Sequence, residues 1–299
     1  MNWSIVIFKN ESSASKFFLV GGIGNQLFIF FAGIAHSLSV GRNVEFVLPD
    51  SNKPSNLLSQ LDVNAYKFKT LDLYSKSLIK KGIELYPKLG SIFRIPVYFS
   101  DEIGFDQNIL VNDRNREFHG YFQSYLYLEL IPEDVKLNIL QLRKKSNWFL
   151  EMKRNILIEK PNVIHVRRGD YNNLKLSHGV IAADYYLDAI HLIEKLNPGK
   201  PYWVFSDEIS QVMFEFKHLF PKGTRWIRPP NESSALESLF LMSYGSSNVI
   251  ANSTYSWWSA YLNSSSTITI APSDWFRGME DPIKLIPDNW IKLKNSWKN

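Results

Sequence analysis

Short apolar runs alternate with helix-length segments along this chain, and the alternation constrains the fold more than any other feature. Strands separated by helices favour parallel sheets joined by crossover helices, so the pattern predicts the α/β class. The rhythm is clearest in the second half, where polar turns follow directly after the apolar runs. The predicted strands there are NVIHV (162–166), YWVFS (202–206), VIA (249–251) and TITIAP (267–272).

The helices between these strands have recognisable faces and ends. DYYLDAIHLIEKL places Tyr186 and Ile193 on one apolar face of an amphipathic helix. In SALESLFLMSYG, Ser234 and Glu237 have the spacing of a capping box, which predicts a helix start. A further helix follows the third strand.

The first half begins with the same plan. FFLV (17–20) is predicted to be a buried strand, followed by a glycine turn and a helix over 26–40 that Gly41 ends. VEFVLP (44–49) predicts the next strand. Residues 51–118 have weak periodicity, and we assign them only to the first domain.

Composition limits the classes of function. The net charge is +5 and the pI about 9.1, but lysines and arginines are spread along the chain. We therefore expect no nucleic-acid partner, while a mild attraction to anionic lipid headgroups fits equally well. The absence of cysteine excludes disulfides, thiolate metal sites and cysteine nucleophiles, and it favours a cytoplasmic protein.

The sequence also predicts how the protein relates to membranes. The N-terminal residues lack the pattern of a secretion signal. The longest apolar run, 27–35, is shorter than the roughly 20 residues of a membrane-spanning helix. Any membrane contact is therefore expected to be peripheral, at the inner face.

The segment HVRRGDY (165–171) puts two arginines directly after a predicted buried strand. Unpaired charge is costly to bury, so Arg167 and Arg168 need a negative partner. Asp170 is one internal candidate, and an ordinary solvated charge cluster is the alternative. Two guanidinium groups at a strand end also suit a diphosphate, whose oxygens they bind in pairs. His165 lies inside the strand, where a structural role is the simpler interpretation.

The glycine cluster LVGGIGNQLF follows a strand and opens a helix, as a dinucleotide-binding fingerprint does. The match fails, because a G-x-G-x-x-G pattern starting at Gly22 has Leu27 where the third glycine belongs. The glycines alone are also explained by a tight turn. Candidate ligand-binding residues of this turn are Gly22, Gly24, Asn25 and Gln26.

Two more polar turns follow predicted strands. Asp207 and Glu208 end the FSDE segment, where an acid accepts hydrogen bonds from N1–H and the exocyclic amine of guanine; a plain helix N-cap is the alternative. ANSTYSWW surrounds a helix N-terminus, whose free N–H groups attract phosphate, and capping is again the alternative. The candidate residues of this second turn are Asn252, Ser253, Thr254 and Ser256.

The sequence contains no recognisable binding motif for a metal ion that would accompany a nucleotide. No D-x-D pair occurs, and no histidine pair has helical metal spacing. A P-loop of the form G-x-x-x-x-G-K-[ST] is also absent. We therefore expect no metal and no other cofactor.

Taken in order, six segments make the chain resemble the bacterial α-1,2-fucosyltransferases of glycosyltransferase family 11. HxRRxD alone is shared with α-1,6 and protein O-fucosyltransferases, whereas its combination with GGxGNQ and NS[ST][FY]SWW is specific. The six segments are GGIGNQLFIFFAG (21–33), GYFQSYLY (120–127), HVRRGDY (165–171), DYYLDAI (184–190), VFSDE (204–208) and LMSYGSSNVIANSTYSWWSAYL (241–262).

The resemblance implies a GT-B-like fold of two Rossmann-like domains with the active site in the cleft between them. Residues 1–155 are expected to form the acceptor-side domain and 156–299 the GDP-fucose-binding domain, with the last segment packing back on the first. It also implies inverting transfer of L-fucose from GDP-β-L-fucose to the 2-hydroxyl of a β-galactoside, in an O-antigen or similar oligosaccharide, with a lipid-linked oligosaccharide among the candidate acceptors. α-1,6 or protein O-linked transfer and nonenzymatic sugar-nucleotide or glycan binding are the alternatives.

The resemblance further implies residue roles. Arg167, Arg168 and Asp170 are the predicted catalytic residues, with both arginines facing the diphosphate and Arg167 the more critical. His165 and Asp170 would support the loop, Asp207 would lie near guanine, and Asn252, Ser253 and Thr254 would lie near the phosphates. The sequence departs from the family pattern at three positions. Glu208 stands where an aspartate is usual, Ser238 where an acid is usual, and Gly245 where a cysteine is usual. These departures leave the acceptor undetermined. No general base is assigned.

Overall fold

The computed structural model describes residues 14–48, 57–63, 66–70, 96–114, 117–230 and 235–298. They form two compact units. The first contains the described residues up to Arg143 together with Pro282–Leu285, and the second contains Lys144–Asp281 and the residues from Ile286 onward. The boundary predicted between residues 155 and 156 falls within a helix of the second unit, Asn147–Glu159.

The first unit is built on a parallel sheet of five strands in the order β3-β2-β1-β5-β4. β1 lies at the centre, where Phe17 pairs in register with Phe46 of β2 and Phe118 of β5. The rings of Phe17 and Phe118 stack with centroids 4.8 Å apart. The strands are β1 (Ser15–Phe18), β2 (Val44–Leu48), β3 (Lys67–Thr70), β4 (Val97–Phe99) and β5 (Glu117–His119).

Helix α1 (Ile23–Val40) packs on β1 and β2. Gly41 ends it in the left-handed conformation with φ of 67°, as the sequence predicted. The strand before it is shifted toward the N-terminus relative to the predicted 17–20, and the helix begins at Ile23 rather than residue 26. Two more α-helices lie in the described part of this unit, α2 (Leu126–Glu129) and α3 (Glu133–Ile139).

Within the described residues, α1 is the one helix long and apolar enough to cross a membrane. However, 72% of its residues are buried inside the protein. Phe28, Ile29 and Phe31 are each at most 1% exposed. Packing on the sheet therefore accounts for the apolar composition of α1.

The second unit is built on a parallel sheet of six strands in the order β11-β10-β9-β6-β7-β8. All five residues of β6 are buried, because β9 and β7 flank it. The strands are β6 (Asn162–Val166), β7 (Tyr202–Ser206), β8 (Arg225–Trp226), β9 (Ser247–Val249), β10 (Ile268–Pro272) and β11 (Ile291–Leu293). The two parallel sheets confirm the predicted α/β class.

Helices connect the strands of this sheet. Tyr186 and Ile193 are fully buried in the core, so the predicted apolar face of the helix after β6 is confirmed. The helices are α4 (Asn147–Glu159), α5 (Ala183–Leu196), α6 (Ile209–Phe216), α7 (Ala235–Met242) and α8 (Thr254–Tyr261).

Only one residue of the predicted capping box of α7, Glu237, can be compared with the structure. Ser234 lies outside the described residues. Glu237 is buried, and its carboxylate accepts from the backbone N–H and hydroxyl of Ser146, at 2.5 and 2.8 Å. Ser146 is the N-cap of α4. Glu237 therefore links α7 to the start of another helix, which local spacing cannot reveal.

Candidate active site

Three polar segments follow the adjacent strands β9, β6 and β7 of the second unit. In a parallel sheet the carboxyl ends of neighbouring strands lie at one edge, where ligands bind in open α/β folds. The segment after β6 continues as a 3₁₀ turn, Gly169–Asn173. This edge brings together residues that are far apart in the sequence.

Arg167 is the accessible cation of this edge, with a side chain 24% exposed. Its Nη2 donates to Asp170 Oδ1 at 2.5 Å, and its Nη1 lies 3.0 Å from Asp207 Oδ2. The guanidinium also lies over the ring of Tyr171, 5.1 Å from the centroid. Its buried Nε has no hydrogen-bond partner among the described residues. Two carboxylates thus hold Arg167 at the rim, where an anionic ligand can meet it.

Arg168 is different, since its side chain is only 1% exposed. Its Nε donates to Glu215 Oε2 at 3.1 Å, and its Nη1 donates to the carbonyls of Arg167 and Ile181 at 3.0 and 3.2 Å. The charge of Arg168 is thus buried and already paired, so the structure gives no support to its predicted contact with a diphosphate, which stays a prediction. Arg168 holds the loop, and Arg167 remains the candidate ligand-binding arginine.

Asp207 fixes the conformation of this loop. Its Oδ1 accepts the backbone N–H of Arg168 at 2.9 Å, while its Oδ2 pairs with Arg167. A Cβ added at Gly169 would lie 2.3 Å from Asp207 Oδ2, so only glycine allows this approach. Both oxygens of Asp207 are used within the loop, and the contact with guanine stays a prediction. Glu208 is exposed beside it, with its N–H bonded to Ser206 Oγ.

His165 is 3% exposed in β6, with its ring 5.5 Å from that of Tyr255. Burial, reinforced by the charge of Arg167, lowers the pKa of His165 to about 3. The ring is therefore neutral at pH 7. Its Nδ1 has no hydrogen-bond partner among the described residues. This environment fits the predicted supporting role better than acid–base catalysis.

The segment after β9 is largely internal. Asn252 is 1% exposed, and its amide donates to the carbonyls of His178, Gly179 and Trp275 at 2.9 to 3.3 Å. Ser256 is fully buried and donates to the carbonyl of Ser253.

The side chains of Asn252 and Ser256 thus hold the segment together, which does not match their predicted place as direct ligand contacts. Ser253 is the N-cap of α8 and makes no side-chain capping bond, and Thr254 is the first residue of the helix. Contact of these two with phosphate stays a prediction.

The predicted glycine turn lies in the first unit, after β1. Gly22 is the N-cap of α1, and Gly24 is buried in its first turn. Asn25 Oδ1 accepts from Gln123 Nε2 at 3.2 Å, and Gln26 Nε2 donates to the Gly21 carbonyl at 3.0 Å. These side chains organise the start of α1, and their contact with a sugar-nucleotide donor substrate stays a prediction.

Sequence reasoning missed three participants. Tyr171 lies on Arg167, and its hydroxyl donates to the Asn252 carbonyl at 3.0 Å. Burial raises the pKa of Tyr171 to about 12, so its hydroxyl stays protonated. Glu215 neutralises Arg168, and Lys298 in turn pairs with Glu215 at 2.7 Å. Tyr171 stood in the quoted motif, whereas the two charged partners had no local signal.

Within the parts of the chain that the structure describes, no group of three or more histidine, cysteine, aspartate or glutamate side chains is placed to hold a metal ion. The charged groups gathered at this edge are Arg167, Asp170 and Asp207.

Arg167, partly exposed at the end of the central strand β6, is the candidate contact for an anionic ligand in this Rossmann-like unit. The sequence profile of Glycosyl transferase family 11 matches residues 105–293, which is more than half of the chain. The protein therefore belongs to glycosyl transferase family 11, and the membership predicted from the sequence is confirmed.

Known relatives are similar over most of their length. The chain is 29% identical to the O-antigen biosynthesis glycosyltransferase WbnK of Escherichia coli, with 92% of this chain and 99% of the relative covered. It is 26% identical to an alpha-1,2-colitosyltransferase of Escherichia coli, covering 92% and 97%. It is 25% identical to a galactoside 2-alpha-L-fucosyltransferase of Caenorhabditis elegans, covering 81% and 67%.

Among solved structures, the chain resembles fucosyltransferase NodZ from Bradyrhizobium, with a TM-score of 0.50. The sequence identity is 13%, and the match covers 83% of this chain and 93% of NodZ. At this identity the likeness concerns the fold. It agrees with the predicted GT-B-like class of two Rossmann-like domains, each seen here as a parallel sheet with helices.

Proposed function

We propose that this protein is an inverting fucosyltransferase that moves L-fucose from GDP-β-L-fucose to the 2-hydroxyl of a β-galactoside. The names of the relatives support the reaction class, because they include an α-1,2-colitosyltransferase and a galactoside 2-α-L-fucosyltransferase. The acceptor is a glycan of the O-antigen type, in keeping with the similarity to WbnK. The structural observation on which the proposal rests is Arg167, the accessible cation at the end of β6.

The chemistry follows from charge. As the bond from C1 of fucose to phosphate breaks, positive charge grows on the sugar and negative charge grows on GDP. A guanidinium already oriented at the site stabilises that leaving group without having to reorganise. Asp207 holds Arg167 in orientation, and the burial of Arg168 keeps the backbone of the loop in place. The leaving diphosphate is balanced by arginine and backbone dipoles, with no metal.

The acceptor hydroxyl must lose a proton. Asp170 is the exposed carboxylate nearest Arg167, but it is paired with that arginine in this structure. His165 and Tyr171 are unsuitable bases, because burial lowers the pKa of the first to about 3 and raises that of the second to about 12. We leave the base unassigned. A pH profile of transfer for each carboxylate variant would locate it.

A second donor has a specific observation in its favour. The relative at 26% identity is an α-1,2-colitosyltransferase, and the match covers 97% of that protein. Its sugar would be offered to the same 2-position. Transfer from a GDP-linked dideoxyhexose is therefore the alternative activity.

We also propose a cytoplasmic location with peripheral contact at the inner membrane face, where a lipid-linked acceptor would be met. The excess of positive charge and the absence of cysteine support this location. Its partners would be GDP-fucose and a galactose-terminated oligosaccharide, with no nucleic acid. Fractionation of cells that produce the protein, with and without a high-salt wash, tests the location.

The decisive experiment incubates the purified protein with GDP-fucose and a panel of β-galactosides in the presence of a chelator. The expected product is an α-1,2-fucosylated galactoside whose linkage is assigned by NMR, formed equally well with chelator. A parallel reaction with the GDP-linked dideoxyhexose compares the two donors. An α-1,6 or peptide-linked product, or no product while GDP still binds, would overturn the proposal.

A further inference from the structure

The buried Arg168 connects the site loop to parts of the molecule that have no assigned role. Its guanidinium is 1% exposed and lies 5.2 Å from the ring centre of Phe216. The carboxylate that neutralises it belongs to Glu215 of α6. A buried arginine that loses such a partner either moves or stays uncompensated, and both outcomes are costly. The position of Arg168 therefore depends on Glu215.

Glu215 is itself held from two sides. Its Oε1 accepts from Lys298 Nζ at 2.7 Å and from Gln211 Nε2 at 2.9 Å. Despite the opposing effect of burial, these bonds and the charge of Arg168 lower the pKa of Glu215. Glu215 is thus charged at neutral pH and bridges two cations, Arg168 and Lys298.

The C-terminal segment that contains Lys298 also reaches Arg168 through the backbone. Trp297 forms an antiparallel bridge with Ile181, and the N–H of Lys298 donates to the Val180 carbonyl at 2.7 Å. A Cβ at Gly179 would lie 2.4 Å from the Trp297 ring, so the tail packs directly on this segment. The Ile181 carbonyl then accepts from Arg168.

We propose that Glu215 and Lys298 are positioning residues of the transfer reaction. They fix Arg168, whose backbone N–H binds Asp207, and Asp207 in turn orients Arg167. The C-terminal segment thereby sets the geometry of a site that it does not enter. The inference rests on the proposed function in one respect, that the ligand of Arg167 is the diphosphate of GDP.

The test compares Glu215→Gln and Lys298→Met with a matched control, Arg225→Met. Arg225 also pairs with a glutamate of the second unit, Glu159, and its side chain is 40% exposed against 39% for Lys298. Lys298→Arg keeps the charge and serves as the rescue variant. For each variant the measurements are thermal unfolding, GDP affinity by calorimetry, kcat and KM for GDP-fucose, and hydrogen exchange of the peptide spanning 167–174.

Glu215→Gln should weaken GDP binding roughly 3- to 30-fold and accelerate exchange in the 167–174 peptide. Lys298→Met should have the same effects but weaker, and Lys298→Arg should restore wild-type values. Arg225→Met is expected to lower thermal stability at most, with GDP affinity unchanged.

Two failures are distinguishable. If the wild-type protein does not bind GDP, the proposed function fails, while hydrogen exchange still tests the link from Glu215 to the loop. If the wild type binds GDP and Glu215→Gln binds it equally, with unchanged loop exchange, the positioning role is wrong. A loss of thermal stability alone, equal to that of Arg225→Met, would also overturn it.

Discussion

The turn after β1 and the loop after β6 hold equivalent places in their sheets, since each follows a strand flanked on both sides by parallel partners. The first, 19–26, contains no charged residue and relies on glycine and amide groups. The second concentrates Arg167, Arg168 and Asp170 within four residues of the sequence. The same topology therefore carries two chemically different segments. The turn after β1, here called the neutral turn, presents backbone and amide groups, and the loop after β6, here called the charged loop, presents ionised side chains.

The largest expected effect tests the charged loop. Arg167→Ala should reduce turnover of GDP-fucose by about 10²-fold or more, because a preorganised charge at the leaving group is lost. Asn25→Ala in the neutral turn should cost about fivefold, the value of one neutral hydrogen bond. Steady-state kinetics check the difference, with thermal unfolding as the control for folding. Near-normal transfer by Arg167→Ala, or a larger loss in Asn25→Ala, would reverse the comparison.

The next comparison is between two glycine-to-alanine substitutions, one in each region, and their effects on stability. Gly169→Ala places a Cβ 2.3 Å from Asp207 Oδ2, whereas a Cβ at Gly22 has nothing within 4 Å. Gly169→Ala should lower the free energy of unfolding by about 1–3 kcal/mol, since the loop must shift. Gly22→Ala should change it by less than about 1 kcal/mol. Urea titrations measure both, and equal losses would mean that the close approach to Asp207 is not a real constraint.

Local signals predicted the elements of both regions well. The apolar runs at β6 and β7 and the stop at Gly41 depend on neighbouring residues, so spacing alone located them. The exact start of α1 was missed, because Ile23 and Gly24 already belong to the helix although they look like turn residues. The family motifs place the candidate site at the ends of β6, β7 and β9, and this location stays a prediction.

The two arginines show what spacing cannot provide. Arg167 and Arg168 are neighbours of one type in the sequence, yet one is accessible and the other buried. The difference comes from Glu215, 47 residues further along, which neutralises Arg168 in the core. Likewise, Glu237 binds Ser146, the N-cap of α4, which lies 91 residues earlier. Burial and pairing are decided by tertiary packing, and a single sequence contains no measure of it.

Acid pH should affect both units through buried histidines. Burial lowers the pKa of His36 in the first unit to about 4 and of His165 in the second to about 3. Both values lie below that of the unfolded chain, near 6.5. As pH falls from 7 to 5, the unfolded chain therefore binds protons that the folded protein does not, and stability falls by about 2 kcal/mol for each histidine.

Urea unfolding at pH 7 and pH 5 measures this loss. His165→Gln and His36→Gln should each reduce the difference between the two pH values, since each removes one titrating group. Equal reductions in the two variants would indicate that the two units keep a buried histidine neutral at similar cost. An unchanged pH dependence in either variant would show that the histidine is not kept neutral by the fold.

The smallest expected effect separates the two acids around Arg167. The side chain of Asp170 is 61% exposed and pairs with the guanidinium, whereas the side chain of Asp207 is 23% exposed and also binds the loop backbone. An incoming diphosphate should therefore displace Asp170 and leave Asp207 in place. Asp170→Asn should tighten GDP binding by up to about fivefold, the range of an exposed ion pair, and Asp207→Asn should weaken it. Calorimetric titration with GDP measures whether affinity rises in the first variant and falls in the second. Weaker GDP binding in both variants would show that Asp170, like Asp207, orients Arg167. The GDP-binding geometry of the loop would then depend on Arg167, Asp170 and Asp207 together rather than on Arg167 and Asp207.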